Sequence, residues 1–214
     1  MKLLEETEVQ FEMADLLKRS PLLQPSKSSR LSPRIRSKGV HVTAVLRHCA
    51  VQAKILKPGE RLEEDLPLWM GLGFAWEEFA ASFYPEMVWQ PGEQERAGVY
   101  GNPDGISISE DIELVTEIVH TGLTPVVVEE MKFTGKKAKH GKDILREWLW
   151  MHQMRAYCGF YDSVLARLHV CFINGDYKWP REAKYIRYLI LFDQTQVDDT
   201  WRLIEKNKGK VKPE

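Results

Sequence analysis

Cysteine is scarce in this chain of 214 residues: Cys49, Cys158 and Cys171 lie far apart and form no C-x-x-C pair. That excludes a disulfide framework and points to reduced, buried thiols. An excess of one charge is lacking too, with 30 Lys and Arg against 31 Asp and Glu, so any surface for a polyanion has to be local. No uninterrupted apolar run approaches membrane-spanning length, and the opening residues MKLLEETEVQFEMADLL are too acidic for a secretory leader. A soluble, cytoplasmic protein with no membrane partner is the expectation. No internal repeat is visible, and the length suits one domain with a substantial core.

What is present divides into two regions. Over 3–17 the spacing of Val9, Met13, Leu16 and Leu17, with Glu5, Glu8, Glu12 and Asp15 off that stripe, predicts an N-terminal amphipathic helix. From Lys18 to Lys38 seven Lys and Arg residues, Arg34 and Arg36 among them, occur without one acid among serines and three prolines. This is a basic connector, read either as a solvated linker or as an arm on DNA phosphates. The expected division is therefore 1–40 for helix and connector and 41–214 for one folded domain.

Within that domain VTAVLRHCAVQAKI, with Thr43 near its start, and LPLWMGLGFAWEEFAASFYP, ended by Pro85, predict helices. AGVYGNPDGISIS, IELVTEIVH and PVVVEEMKF predict neighbouring strands. DILREWLWMHQMRAYCGFYD predicts a long helix with Asp143 as its N-cap. Strands around VLARLHVCFI and YIRYLILF and a closing helix from Thr195 to Lys206 complete an α/β pattern.

The stretch VVVEEMKFTGKK, residues 126–137, carries the chemistry. Three valines and Phe133 give it strand character, and Thr134-Gly135 ends it. Side chains alternate along a strand, so Glu130 and Lys132 share one face while Glu129 and Met131 take the other. A hairpin would bring Asp104 of GNPDGIS beside Glu130, and Glu77 lies on a preceding helix. Carboxylate oxygens of this kind suit Mg²⁺ or Mn²⁺, and Lys132 can neutralise charge developing on a phosphate. Gln153 and Tyr157 stand at i and i+4 on one helical face.

PDG at 103–105 followed by EMK at 130–132 resembles the PD-(D/E)XK nuclease signature, in which Asp and Glu hold metal and Lys assists hydrolysis. GFAWE at 73–77 resembles the G-x-x-x-[H/E] helix motif of the RecB-like and phage-exonuclease branch, and QMRAY at 153–157 its Q-x-x-x-Y motif. The four occur in the family's order, and the resemblance covers roughly Leu68 to Tyr161. Glu77, rather than the His of many RecB-like members, matches phage-type members, with Glu78 as a substitute ligand.

The resemblance implies a restriction-endonuclease-like core, a central mixed β-sheet flanked by helices. It implies a Mg²⁺- or Mn²⁺-dependent deoxyribonuclease, with metal held by Glu77, Asp104, Glu130 and the backbone carbonyl of Met131. Lys132, Gln153 and Tyr157 complete the catalytic set. An exonuclease of recombination, repair or phage genome processing is expected, acting in the host cytoplasm if viral. The alternatives are a structure-selective or restriction-like endonuclease, and an inactive nuclease-like DNA-binding subunit.

Lys136, Lys137, Lys139 and Lys142 are placed to meet DNA phosphates, with a solvated loop as the ordinary alternative. Besides DNA, the expected partner is a second copy of the chain or a recombination or single-strand-binding protein. No iron-sulfur cluster is expected, since the chain lacks a fourth cysteine. His41, His48, His152 and His169 are assigned to structure, His120 and His140 to turns or the surface, and the tryptophans, notably Trp69, Trp76, Trp148 and Trp150, to the core rather than to base stacking.

Overall fold

A computed structural model describes residues 1–9, 37–62, 67–179 and 182–213, with 67–70 described for their backbone only. The centre is a mixed six-stranded sheet in the order β1 (Lys2–Val9), β9 (Lys184–Leu191), β8 (Leu165–Phe172), β7 (Val126–Thr134), β6 (Gly105–Ile108), β3 (Val88–Trp89). A small second sheet joins β2 (Val40–His41), β5 (Val99–Gly101) and β4 (Gln94–Arg96). The helices are α1 (Val42–Gln52), α2 (Pro67–Ala81), α3 (Ile112–His120), α4 (Trp148–Phe160) and α5 (Gln194–Asn207). Together they make the mixed α/β fold, a central mixed sheet flanked by helices, that the sequence predicts.

β7 organises the molecule. It runs parallel to β8, from Val127 opposite Leu165 to Thr134 opposite Phe172, and antiparallel to β6, with Gly105 opposite Glu129. A parallel pair needs a crossover connection, which α4 supplies. That helix is apolar enough to be buried along most of its length: Trp150, Met151, Met154, Ala156, Tyr157 and Cys158 are all in the core. Gly159 lets α5 approach, because a Cβ there would lie 2.0 Å from the indole nitrogen of Trp201. That indole donates to the Ala156 carbonyl at 3.1 Å. On the other face of β7, Met131 packs with Ala80 and Met87, which brings α2 onto the sheet.

Three local readings of the sequence are corrected. The N-terminal segment is a strand, not a helix, over Lys2–Val9; it pairs antiparallel with β9 and joins the first residues to the same sheet as 41–214. Its charges suit an exposed sheet edge: Glu8 reaches Lys184 at 3.1 Å, and Glu6 meets His140 at 2.7 Å. Residues 10–17 of the expected helix and 18–36 of the connector, with Arg34 and Arg36, lie outside the described residues.

IELVTEIVH is a helix, not a strand. Asp111 caps it by accepting the Leu114 N–H at 3.0 Å, and Leu114 and Ile118 one turn apart face the core, so cap and period outweigh β-branched propensity. Asp143 is not a helix cap: it sits in a 3₁₀ turn, Gly141–Arg146, and α4 begins only after Glu147.

All three cysteines are free and buried, and burial pushes each thiol up, that of Cys171 to about 12. They are inert packing groups. Among the described residues no helix is long and apolar enough to cross a membrane.

Candidate active site

Asp104 immediately precedes β6, one step beyond the Gly105–Glu129 pair, and so stands beside Glu130 and Met131 of β7. Its carboxylate accepts the Met131 N–H at 2.8 Å. Within a strand, N–H and C=O of one residue point to the same edge, so the Met131 carbonyl opens on the Asp104 side. Asp104 is 6% exposed and Glu130 2%. Gly105 leaves room for the Met87 side chain, whose sulfur would lie 2.5 Å from a Cβ there.

Alternation along β7 carries Glu130 and Lys132 to one face, and they meet: Lys132 Nζ lies 2.7 Å from Glu130 Oε1. α4 lies over this face and contributes Gln153, whose amide ties the group together. Its Nε2 donates to Glu130 Oε1 at 2.8 Å and to the Tyr157 hydroxyl at 3.1 Å, while its Oε1 accepts from Lys132 at 3.1 Å. The Tyr157 hydroxyl is held protonated: burial raises its pKa, and the charge of Glu130 adds to the effect. Thus Asp104, Glu130, Met131, Lys132, Gln153 and Tyr157 converge from β6, β7 and α4.

Glu77 does not complete a three-carboxylate cluster with them; among the described residues no three of His, Cys, Asp and Glu gather as a metal-ligand group. Glu77 and Glu78 are half-buried on α2. The neighbouring Trp76 packs edge-on against Tyr185, whose strand position shares the Met131 face. The donors present still fit a hard divalent cation in kind: two buried carboxylates and a backbone carbonyl, all oxygen.

The second carboxylate of β7 builds something the sequence reading did not find. Glu129, 1% exposed, accepts from Arg167 at 2.7 Å and from the Ser107 hydroxyl, and pairs with His169 Nε2 at 2.7 Å. His169 Nδ1 lies 2.6 Å from the Tyr185 hydroxyl, which reaches that of Tyr84 at 2.9 Å. Burial alone would raise the Glu129 carboxyl, but the His169 hydrogen bond and charge, Arg167 and Ser107 together hold it below the usual range. The signal was the first glutamate of EE at a strand centre, which demands partners once buried.

Of the predicted phosphate-binding lysines, Lys136, Lys137 and Lys139 line one cavity, whereas Lys142 is exposed in the 3₁₀ turn and does not line it. Glu147 holds Lys136 at 2.9 Å and also Lys139, and these partners keep its carboxyl ionised against its burial.

The chain matches no protein-family profile, and no curated protein matches it in sequence. Chains of solved structures align with it, among them these two. A crystal structure of SSO0001 has TM-score 0.42 and 13% identity over 81% of this chain and 78% of that one. A phage related exonuclease from Haemophilus somnus 129PT has TM-score 0.43 and 12% identity, covering 78% of this chain and 79% of that one.

Proposed function

We propose that this protein is a metal-dependent deoxyribonuclease with a PD-(D/E)XK core, acting from DNA ends. The observation that carries the reading is the junction of Asp104, Glu130 and Lys132 with the Gln153–Tyr157 pair. Three of the four sequence motifs, spread over about fifty residues, supply its parts, and a coincidental set has no reason to come together at one place.

Mg²⁺ or Mn²⁺ would be held by Asp104, Glu130 and the Met131 carbonyl, with Glu77 the proposed further ligand. Bound there, the cation would lower the pKa of a water and stabilise the charge on the scissile phosphate. The residues of the chain do the positioning. Gln153 fixes the Glu130 carboxylate and the Lys132 ammonium relative to one another, and Tyr157 locks Gln153 from the core side. Lys132 supplies positive charge at the attacked phosphate. The lysines after β7 take neighbouring phosphates without reading bases, so cleavage is independent of sequence.

One observation favours a second reading, a nuclease-like DNA-binding subunit without catalysis: among the described residues no three of His, Cys, Asp and Glu gather as a metal-ligand group. A single experiment separates the two. Asp104→Ala, Glu130→Ala and Lys132→Ala are each purified and assayed on labelled DNA with Mg²⁺, alongside thermal melting. The nuclease reading predicts loss of cleavage in all three with the fold retained. Turnover equal to that of the unsubstituted protein in any folded variant removes that residue from the mechanism, and no turnover in the unsubstituted protein, with DNA still bound, selects the second reading.

A further inference from the structure

The cavity after β7 has a volume of about 750 Å³ and a cationic wall. Lys136, Lys137, Lys139, Arg146 and Lys178 face three carboxylates, Asp143, Glu147 and Asp176. The carboxylates brace the cations rather than cancel them: Glu147 takes two lysines, Asp143 takes Arg146 at 3.2 Å and Asp176 takes Lys178 at 3.5 Å. Lys136 also lies over the Trp150 ring at 4.8 Å. Among the described residues Lys137 is exposed and has no carboxylate partner.

Lys178 reaches this wall from the loop between β8 and β9, and that loop is pinned. The Ala138 N–H donates to the Gly175 carbonyl at 2.7 Å, Asn174 donates to the Gly135 carbonyl at 3.3 Å, and the Tyr177 hydroxyl donates to the same carbonyl. Gly175 has φ +51, and a Cβ there would lie 2.2 Å from the Glu182 carbonyl oxygen, so the turn requires glycine. At the end of this pinned stretch stands Trp179, 91% exposed and adjacent in sequence to Lys178. Tryptophan is ordinarily well covered in a folded protein. An indole left in water contributes little to the fold, and its place next in sequence to a cavity-lining lysine is what a ligand with phosphates and flat rings would use.

We propose that this cavity and Trp179 form a site for single-stranded nucleic acid, the lysines taking successive phosphates and the indole stacking on an unpaired base. The inference rests on the DNA reading above and narrows its substrate class. A continuous duplex presents phosphates but keeps its base faces covered by their neighbours, so only an unpaired strand or a frayed end uses both halves of the site. The lysines alone would serve any polyanion; the exposed indole makes the selection.

The test measures binding with chelator present, so that cleavage plays no part. Labelled oligothymidylate and a covalently closed duplex minicircle, which has neither a free end nor an unpaired loop, are titrated by fluorescence anisotropy. Trp179→Ala is expected to weaken oligothymidylate binding about tenfold, the scale of one base–aromatic stack, with no change on the minicircle. Trp179→Phe restores most of the loss, and Lys137→Gln weakens both ligands. Because Trp179 is exposed, neither variant at that position disturbs the core. Equal affinity of Trp179→Ala and the unsubstituted protein for oligothymidylate overturns the inference, as does an equal loss on both ligands. If the unsubstituted protein cuts duplex DNA with metal while Trp179→Ala has no effect on single strands, this inference alone falls. If it neither binds nor cuts DNA, both readings fall.

Discussion

Replacing Glu129 by alanine removes the hub of the buried polar chain on the face of β7 turned away from Lys132. Three donors, from Ser107, Arg167 and His169, lose their acceptor at once. His169 is 1% exposed and would face a void, whereas the Arg167 side chain is 22% exposed and regains some water. Removing one partner from a buried pair costs about 3–5 kcal/mol, and the access of Arg167 to water puts Glu129→Ala near the lower end.

Glu129→Gln keeps an acceptor of similar shape but loses the charge, so its expected cost is about 2 kcal/mol, the scale of a hydrogen bond to a charged group. A domain of this kind has about 5–15 kcal/mol in total, so both losses are measurable by urea unfolding followed through tryptophan fluorescence. The sign with pH also follows. The Glu129 carboxyl is lowered from 4.5 in the folded state, so its stabilisation is complete above that ordinary value and lost as pH falls through the lower, folded one. The gap between Glu129→Gln and the unsubstituted protein should be level through neutral pH and shrink only in acid. If both variants unfold within about 0.5 kcal/mol of the unsubstituted protein, the chain Ser107–Glu129–His169–Tyr185 is not the structural device described.

The remaining predictions concern catalysis and phosphate contact. Gln153→Ala should lower cleavage by about a hundredfold with melting temperature nearly unchanged, because Lys132 and Glu130 lose the amide that positions them; activity equal to the unsubstituted protein would show that the amide is incidental. Cleavage at subsaturating DNA should fall steeply with salt, and Lys137→Gln should reduce the slope of log affinity against log salt by about 1. An affinity insensitive to salt would exclude a phosphate-binding role for the cavity.

The site was legible because its rules are local. Period two puts Glu130 and Lys132 together on β7, a one-turn spacing puts Gln153 above Tyr157 on α4, and the β6–β7 pairing delivers Asp104. Glu77 was harder, because the face of α2 that meets the sheet depends on Trp76 finding Tyr185, far away in sequence. The readings of Lys2–Val9 and Ile112–His120 failed in opposite directions. The first has apolar residues that also fit a helix and becomes a strand by pairing with β9; the second has strand-forming residues and becomes a helix through the Asp111 cap. Lys178 could not be placed across the cavity from Lys136 without the pinned turn that precedes it.

The most direct test of the central claim is degradation of end-labelled linear DNA beside covalently closed circular DNA, each with Mg²⁺, with Mn²⁺ and with chelator, and with Lys132→Ala as control. The account predicts loss of the linear substrate alone, in the presence of metal and in the unsubstituted protein only. Cutting of both substrates would contradict the requirement for an end, and cutting that survives chelator or the Lys132→Ala substitution would contradict the site itself.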